Sequence, residues 1–309
     1  MTPEQAQDAV AAVAAGCSGH VGLAARHLGT GEELTWNPDA TIQTASTVKV
    51  AILAEVMRQE RLGRVDLGAQ VVTRAADLAG GSGVLSQLRP GLACTVADLC
   101  TLMIVLSDNT ATNMLIDLLG GVAAVNRGVA ALGFPGILLD HKVSLPPPAF
   151  VIDQPPPRQS VPRPLATATP ATLGRLMAGL HNGTVVDEAA SRDMITTLRY
   201  QHDRSLFPRA YLGLAQPDEP TPGAAPALAN KTGFVPGCRA DVGILYLPGD
   251  GGAVAYCAVA DRLEDTTMSA LAEGEQIVGQ LGAIVLARWW PGPGPVPVRR
   301  GILPAGVAL

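Results

Sequence analysis

Aromatic residues are scarce in this 309-residue chain, at 4%, and charged residues make up only 16%. With 48% hydrophobic residues and a mean hydropathy of +0.25, there is ample material for a buried core, and intrinsic disorder is excluded. A basic surplus is also missing. Lysine and arginine number 22 against 27 aspartates and glutamates, a net charge of −5 that does not suit phosphate-backbone binding, so nucleic acid is not an expected partner. The five cysteines, Cys17, Cys94, Cys100, Cys238 and Cys257, are odd in number and lack the paired spacing of a zinc site; they read as buried thiols. His20, His27, His141, His181 and His202 show no i, i+4 pairing, so neither a metal nor a cofactor is expected. No uninterrupted apolar run reaches the roughly 18 residues of a membrane span, and no membrane partner is expected.

What is abundant is glycine and proline, 34 and 25 residues, which predicts long, stiff loops. Residues 3–16 have the spacing of an amphipathic helix. The stretch ending Ala14-Ala15-Gly16-Cys17 resembles a lipoprotein processing site only superficially, because the early charges are Glu4 and Asp8 and the first basic residue is Arg26. The expected compartment is the cytoplasm if Met1 is native, and the periplasm or exterior if a leader has been removed. Residues 20–28 alternate as a strand, Gly29-Thr30-Gly31 turns, and residues 32–36 complete a hairpin. Helical spacing runs over 46–62, with Thr44 to Ser46 as cap-type residues, and over 95–106, 110–119, 121–132, 170–182 and 187–199. Strand character returns at 228–232, 241–247 and 253–261, before a last helix over 267–288 that closes on Trp289-Trp290, a pair expected to pack against the sheet.

That order predicts a helical lobe, residues 43–199, inserted into an α/β lobe built from residues 1–42 and 200–290. Residues 146–164 carry eight prolines in nineteen positions and predict an extended surface loop within the 140–169 region. The Pro/Gly-rich tail, 291–309, is expected to wrap the surface or to be mobile.

Three short patterns carry chemistry. Ser46-Thr47-Val48-Lys49 puts a hydroxyl and an amine one helical turn apart. A serine is inert until something takes its proton, and a lysine can do so once its pKa falls from about 10.4 to about 7–8, a shift worth about 4 kcal/mol. Ser107-Asp108-Asn109 lies where one apolar helix ends and another begins, a place where such residues also serve as caps. Lys231-Thr232-Gly233 ends a predicted strand, where glycine permits close backbone approach and lysine supplies positive charge.

In this order the three patterns resemble the signature of class A β-lactamases and penicillin-binding proteins, and the resemblance spans most of residues 18–290. It implies an α+β fold of the β-lactamase/transpeptidase type, with an antiparallel five-stranded sheet flanked by helices plus an all-α lobe. It also implies that Ser46 is acylated, that Lys49 is a general base and that Ser107 relays a proton to the departing group. By the same resemblance Asn109 bonds the substrate amide and Lys49, Lys231 holds Ser107 and the substrate carboxylate, and Thr232 gives that carboxylate a hydroxyl. The backbone N–H groups of Ser46 and Phe234, beside Gly233, would form the oxyanion hole. Arg239 is a further carboxylate candidate or, on the bare sequence, the salt-bridge partner of an acid such as Asp241.

The chain departs from the family where deacylation is concerned. Three residues after Leu139-Asp140, where class A enzymes carry the glutamate that activates water, stands Val143, and no glutamate occurs between Glu60 and Glu188. Asp153 is the plausible substitute, Asp140 is expected to anchor the loop, and Lys49 serving both steps is a third option. The expectation is a serine hydrolase of small-molecule amides or esters with weak or absent β-lactamase turnover. The alternatives are an acyltransferase with an amine acceptor, or a covalent β-lactam-binding sensor. In every case a monomer or weak oligomer is expected.

Overall fold

Thr2 starts the first helix: its hydroxyl accepts from the Gln5 N–H while the Gln5 side chain accepts from the Thr2 N–H, a reciprocal cap for α1 (Pro3–Ala15). The computed structural model describes residues 1–145, 164–217, 225–292, 295–299 and 301–307. The proline-rich loop up to residue 163, Asp153 included, lies outside the described residues. After α1 come β1 (His20–His27) and β2 (Glu33–Trp36), then β3 (Ile42–Gln43), a 3-10 turn at Ala45–Val48 and α2 (Lys49–Arg61). A hairpin of β4 (Gln70–Val72) and β5 (Ala93–Thr95) precedes α3 (Val96–Val105), α4 (Asn109–Leu118) and α5 (Val122–Ala131). Next are β6 (Leu138–Leu139), β7 (Ala166–Ala168), α6 (Pro170–His181) and α7 (Glu188–Arg199). The chain closes with β8 (Ala227–Val235), β9 (Cys238–Tyr246), β10 (Ala253–Asp261) and α8 (Glu273–Trp289).

The main sheet has the order β2-β1-β10-β9-β8 and is antiparallel throughout, with His20 opposite Asp261 and Lys231 opposite Val242. Both of its faces are covered. Ala253, Ala255, Cys257 and Val259 point into a core shared with α2 to α7, while Val254, Tyr256, Ala258 and Ala260 point into a second core under α1 and α8. This double burial is why β10 reads as an unbroken apolar run rather than an alternating one. Each fully buried Leu, Ile or Val contributes about 1.5–3 kcal/mol.

Several expectations are corrected. The helix expected from Ser46 begins as a 3-10 turn, Thr44 makes no side-chain cap, and α-helical geometry starts only at Lys49. The last helix starts at Glu273 rather than 267, because Asp265 draws the intervening chain into a loop by accepting from Thr267 N and Glu273 N. The segment expected to be all-helical also contains the β4–β5 hairpin and part of a small sheet of order β3-β7-β6. Asp140 anchors through its backbone, whose N–H donates to Leu165 O at 2.9 Å, while its side chain is exposed. Trp289 is buried near the β1–β2 hairpin, its Nε1 donating to Glu32 Oε2 at 3.0 Å.

Candidate active site

The turn that carries Ser46 is strained and closely packed. Ala45 has φ 45° and Ser107 φ 54°, left-handed values that cost a non-glycine residue on the order of 1 kcal/mol each and that tend to cluster at functional sites. Gly233 explains how β8 reaches this turn. A Cβ there would lie 2.9 Å from Thr44 O and 3.1 Å from Ser46 N, so only glycine lets the strand run against the backbone that carries Ser46.

Lys49 is fully buried, and its Nζ donates to Ser107 O at 2.7 Å, Ser107 Oγ at 3.1 Å and Asn109 Oδ1 at 2.8 Å. Burial first, then the positive charge of Lys231, pushes its pKa well below the ordinary lysine value, partly opposed by Asp108. In the neutral state two N–H groups suffice for Ser107 O and Asn109, which frees a lone pair to take a hydroxyl proton.

Asp108 fastens the second pattern to its surroundings. It caps α4 by accepting from Ala111 N, and its other oxygen accepts from Val84 N at 2.7 Å and Leu85 N at 2.9 Å. Gly83, at φ +103°, is required here because a Cβ would overlap the Asp108 carboxylate. The same loop supplies Ser82, whose hydroxyl donates to Ser107 O at 2.7 Å, and Gly80 O, which accepts from Asn109 Nδ2 at 2.8 Å. Neither Ser82 nor Gly80 was singled out from sequence, since a Gly/Ser loop carries no catalytic signal of its own.

Lys231 is also fully buried, and desolvation pushes its pKa down to about 7 against the pull of Asp241 and Asp203. Its Nζ donates to Thr232 O at 2.7 Å, and Ser107 Oγ is met by Lys49 instead, which corrects the expected Lys231–Ser107 contact. Arg239 requires a second correction: it is buried, with Nε on Glu275 Oε1 at 2.7 Å and further bonds to the carbonyls of Val235, Cys238 and Thr267. With four of its five N–H donors so used and its guanidinium outside the cleft lining, it is not placed to bind a substrate carboxylate. Nor is Asp241 its partner, because that carboxylate accepts from Asn230, Tyr256 and Phe207 N.

Ser46, Ser107, Asn109, Thr232 and Phe234 converge on a cleft of about 640 Å³, with Lys49, Lys231 and Gly233 just behind its wall. Val143 lines this cleft too, its backbone clamped by Asn113, which accepts from Val143 N at 2.9 Å and donates to Val143 O at 2.8 Å. Leu145, Leu165 and Met268 add to the apolar lining. Lys142, the residue before Val143, is paired with Asp117 at 2.8 Å.

Known proteins resemble this chain in sequence and fold. Residues 5–289 match the Beta-lactamase enzyme family. A solved β-lactamase from Sphaerobacter thermophilus is 32% identical, with a TM-score of 0.75 over 93% of this chain and 97% of that one. A structure of PBP-A, 23% identical, superposes with a TM-score of 0.74 over 92% and 95% of the two chains and supports the fold. A Rhodobacter capsulatus β-lactamase is 34% identical over 141 residues, 45% of this chain and 48% of that one, so the matched region spans about half of that relative's length. A match across nearly the whole length, on a fold that brings the three sequence patterns to one cleft, places this chain in the Beta-lactamase enzyme family.

Proposed function

We propose that the protein is an acyl-serine enzyme that takes up the acyl group of a small amide or ester, β-lactams included, and releases it slowly to water. Ser46 Oγ attacks the carbonyl carbon as its proton passes to neutral Lys49. The bond to the departing nitrogen or oxygen then breaks, and Ser107 Oγ hands that atom a proton drawn from Lys49. The amides of Ser46 and Phe234 stabilise the oxyanion, at about 2.7–4 kcal/mol for one such donor. The close approach of β8 to Ser46 N at Gly233 supports this pairing.

The observation that carries slow release is Val143. The position at which the family activates water is filled by an aliphatic side chain whose backbone Asn113 fixes in the wall, and a valine takes no proton from water. An intermediate sheltered in this way is open to an amine, so acyl transfer is the second function favoured by the same wall.

The test is intact-protein mass spectrometry after mixing with benzylpenicillin and with a nitrophenyl ester. A persistent adduct on the wild type, none on Ser46→Ala, and release accelerated at least tenfold by Val143→Glu are expected. Rapid penicillin turnover with no adduct overturns slow release. Product that rises with added amine at constant Ser46 acylation identifies the acyltransferase.

A further inference from the structure

Among the described residues, the lining of the cleft contains one carboxylate, Asp203, and no lysine or arginine. Its position is built into the fold. The turn that carries it is tied to the end of α3, where Gln201 Nε2 donates to Ile104 O at 2.9 Å and His202 N to Val105 O at 3.3 Å. On its other side Arg204 Nη1 donates to Asn230 Oδ1 at 2.6 Å, on the residue preceding Lys231. Asp203 is thus held between the Ser107 and Lys231 patterns. Its Oδ1 accepts from Ser205 N at 2.8 Å and Ser205 Oγ at 2.7 Å, which fixes the side chain while the residue remains partly accessible.

Ser107 delivers the proton to the departing atom under the function proposed above, on which this inference rests. The wall next to Ser107 is therefore the leaving-group side. A fixed negative charge on the leaving-group side, with Arg239 withdrawn onto Glu275 and Lys231 buried behind the lining, is the wrong complement for an anion. We infer that Asp203 sets the specificity of this cleft, favouring substrates whose leaving group carries a positive charge over those whose leaving group carries a carboxylate. An acceptor that enters the acyl-enzyme occupies the same side, so a second ammonium group on an amine acceptor is favoured by the same contact.

Two phenylacetyl esters test this, one of 3-hydroxybenzoate and one of 3-(trimethylammonio)phenol, with Ser46 acylation followed by release of the phenol. Comparing the ratio of the two rate constants between proteins cancels the intrinsic reactivity of the esters. In Asp203→Asn, which keeps the oxygen that Ser205 uses, the cationic-to-anionic ratio is expected to fall about tenfold or more. In the wild type, independently of any variant, raising salt from 0.05 to 0.5 M lowers the same ratio. A ratio that is unchanged by both, or that rises in Asp203→Asn as when Asp203 merely sustains the charge of Lys231, overturns the inference. Equilibrium binding of the intact esters to Ser46→Ala separates it from the catalytic proposal. A cationic preference there with no adduct on wild-type Ser46 sinks the acyl-serine mechanism alone, and no preference there sinks the role of Asp203.

Discussion

Two buried lysines of unlike surroundings give the site its pH behaviour. In the proposed mechanism acylation of Ser46 needs Lys49 neutral, so the rate is expected to rise with pH and to level off below the ordinary lysine value, because burial and Lys231 have already lowered the Lys49 pKa. Stability follows from the sign of each shift. Lys231 titrates at about 7 when folded and near 10.5 when unfolded, so above pH 7 the unfolded chain binds more protons and stability rises with pH. Asp241, raised by burial to about 7 from 3.8, works the other way: the folded state holds the extra proton between those values, and stability falls as pH rises through them. Denaturant titrations at pH 5, 7 and 9 are expected to show a shallow minimum near 7. Above pH 9 buried thiols such as Cys100, pushed up to about 12, reverse the upper limb. Asp241→Asn is expected to flatten the lower limb. The residues of the three patterns were legible in sequence because their chemistry depends on local spacing. Arg239 was misjudged because its partner, Glu275, is 36 residues away, and Asp203 went unnoticed because its turn acquires meaning only where α3 and β8 meet.

The helices were the most readable elements, since α3 to α7 carry apolar faces at helical period, and α3 also has a reciprocal cap between Thr95 and Asp98. Strands of two or three residues, such as β3, β6 and β7, are too short for any period to show. The start of α2 was misplaced because nothing local marks a 3-10 turn; close packing against Gly233 accompanies it. The element whose support is most exposed to a single change is the start of α4. Asp108→Ala removes the acceptor for three backbone N–H groups, a loss of about 2–4 kcal/mol. It also frees the loop that holds Ser82 and Gly80 against Ser107 and Asn109. A lower urea midpoint together with Ser46 acylation slowed at least tenfold is expected; unchanged acylation in a destabilised protein would show that the loop does not position the site.

At the scale of the molecule, the order of sheet, helices and sheet was legible from where strand and helix periods changed along the chain, whereas the path of the tail was not. Residues 295–299 add to the fold rather than hang from it: Leu212 N donates to Pro297 O and Arg299 N to Ala210 O, both at 2.8 Å, and Val298 is buried. A chain ending at residue 294 is expected to lose about 3 kcal/mol from Val298 and these bonds, and so to melt roughly 4–6 °C lower. Calorimetry checks the loss, and unaltered Ser46 acylation is expected because this segment lies on the α8 side of the sheet. That sheet also joins distant parts of the chain, as the pairing of His20 in β1 with Asp261 in β10 shows. On a ribosome, the β1–β2 hairpin therefore emerges long before β10 exists to pair with it, a delay on the order of ten to fifty seconds at ordinary elongation rates. During that interval Val21, Leu23 and Ala25 lack their partners on β10, so the yield of native protein in a cell is expected to depend on how fast the chain is translated and on which chaperones meet the nascent hairpin.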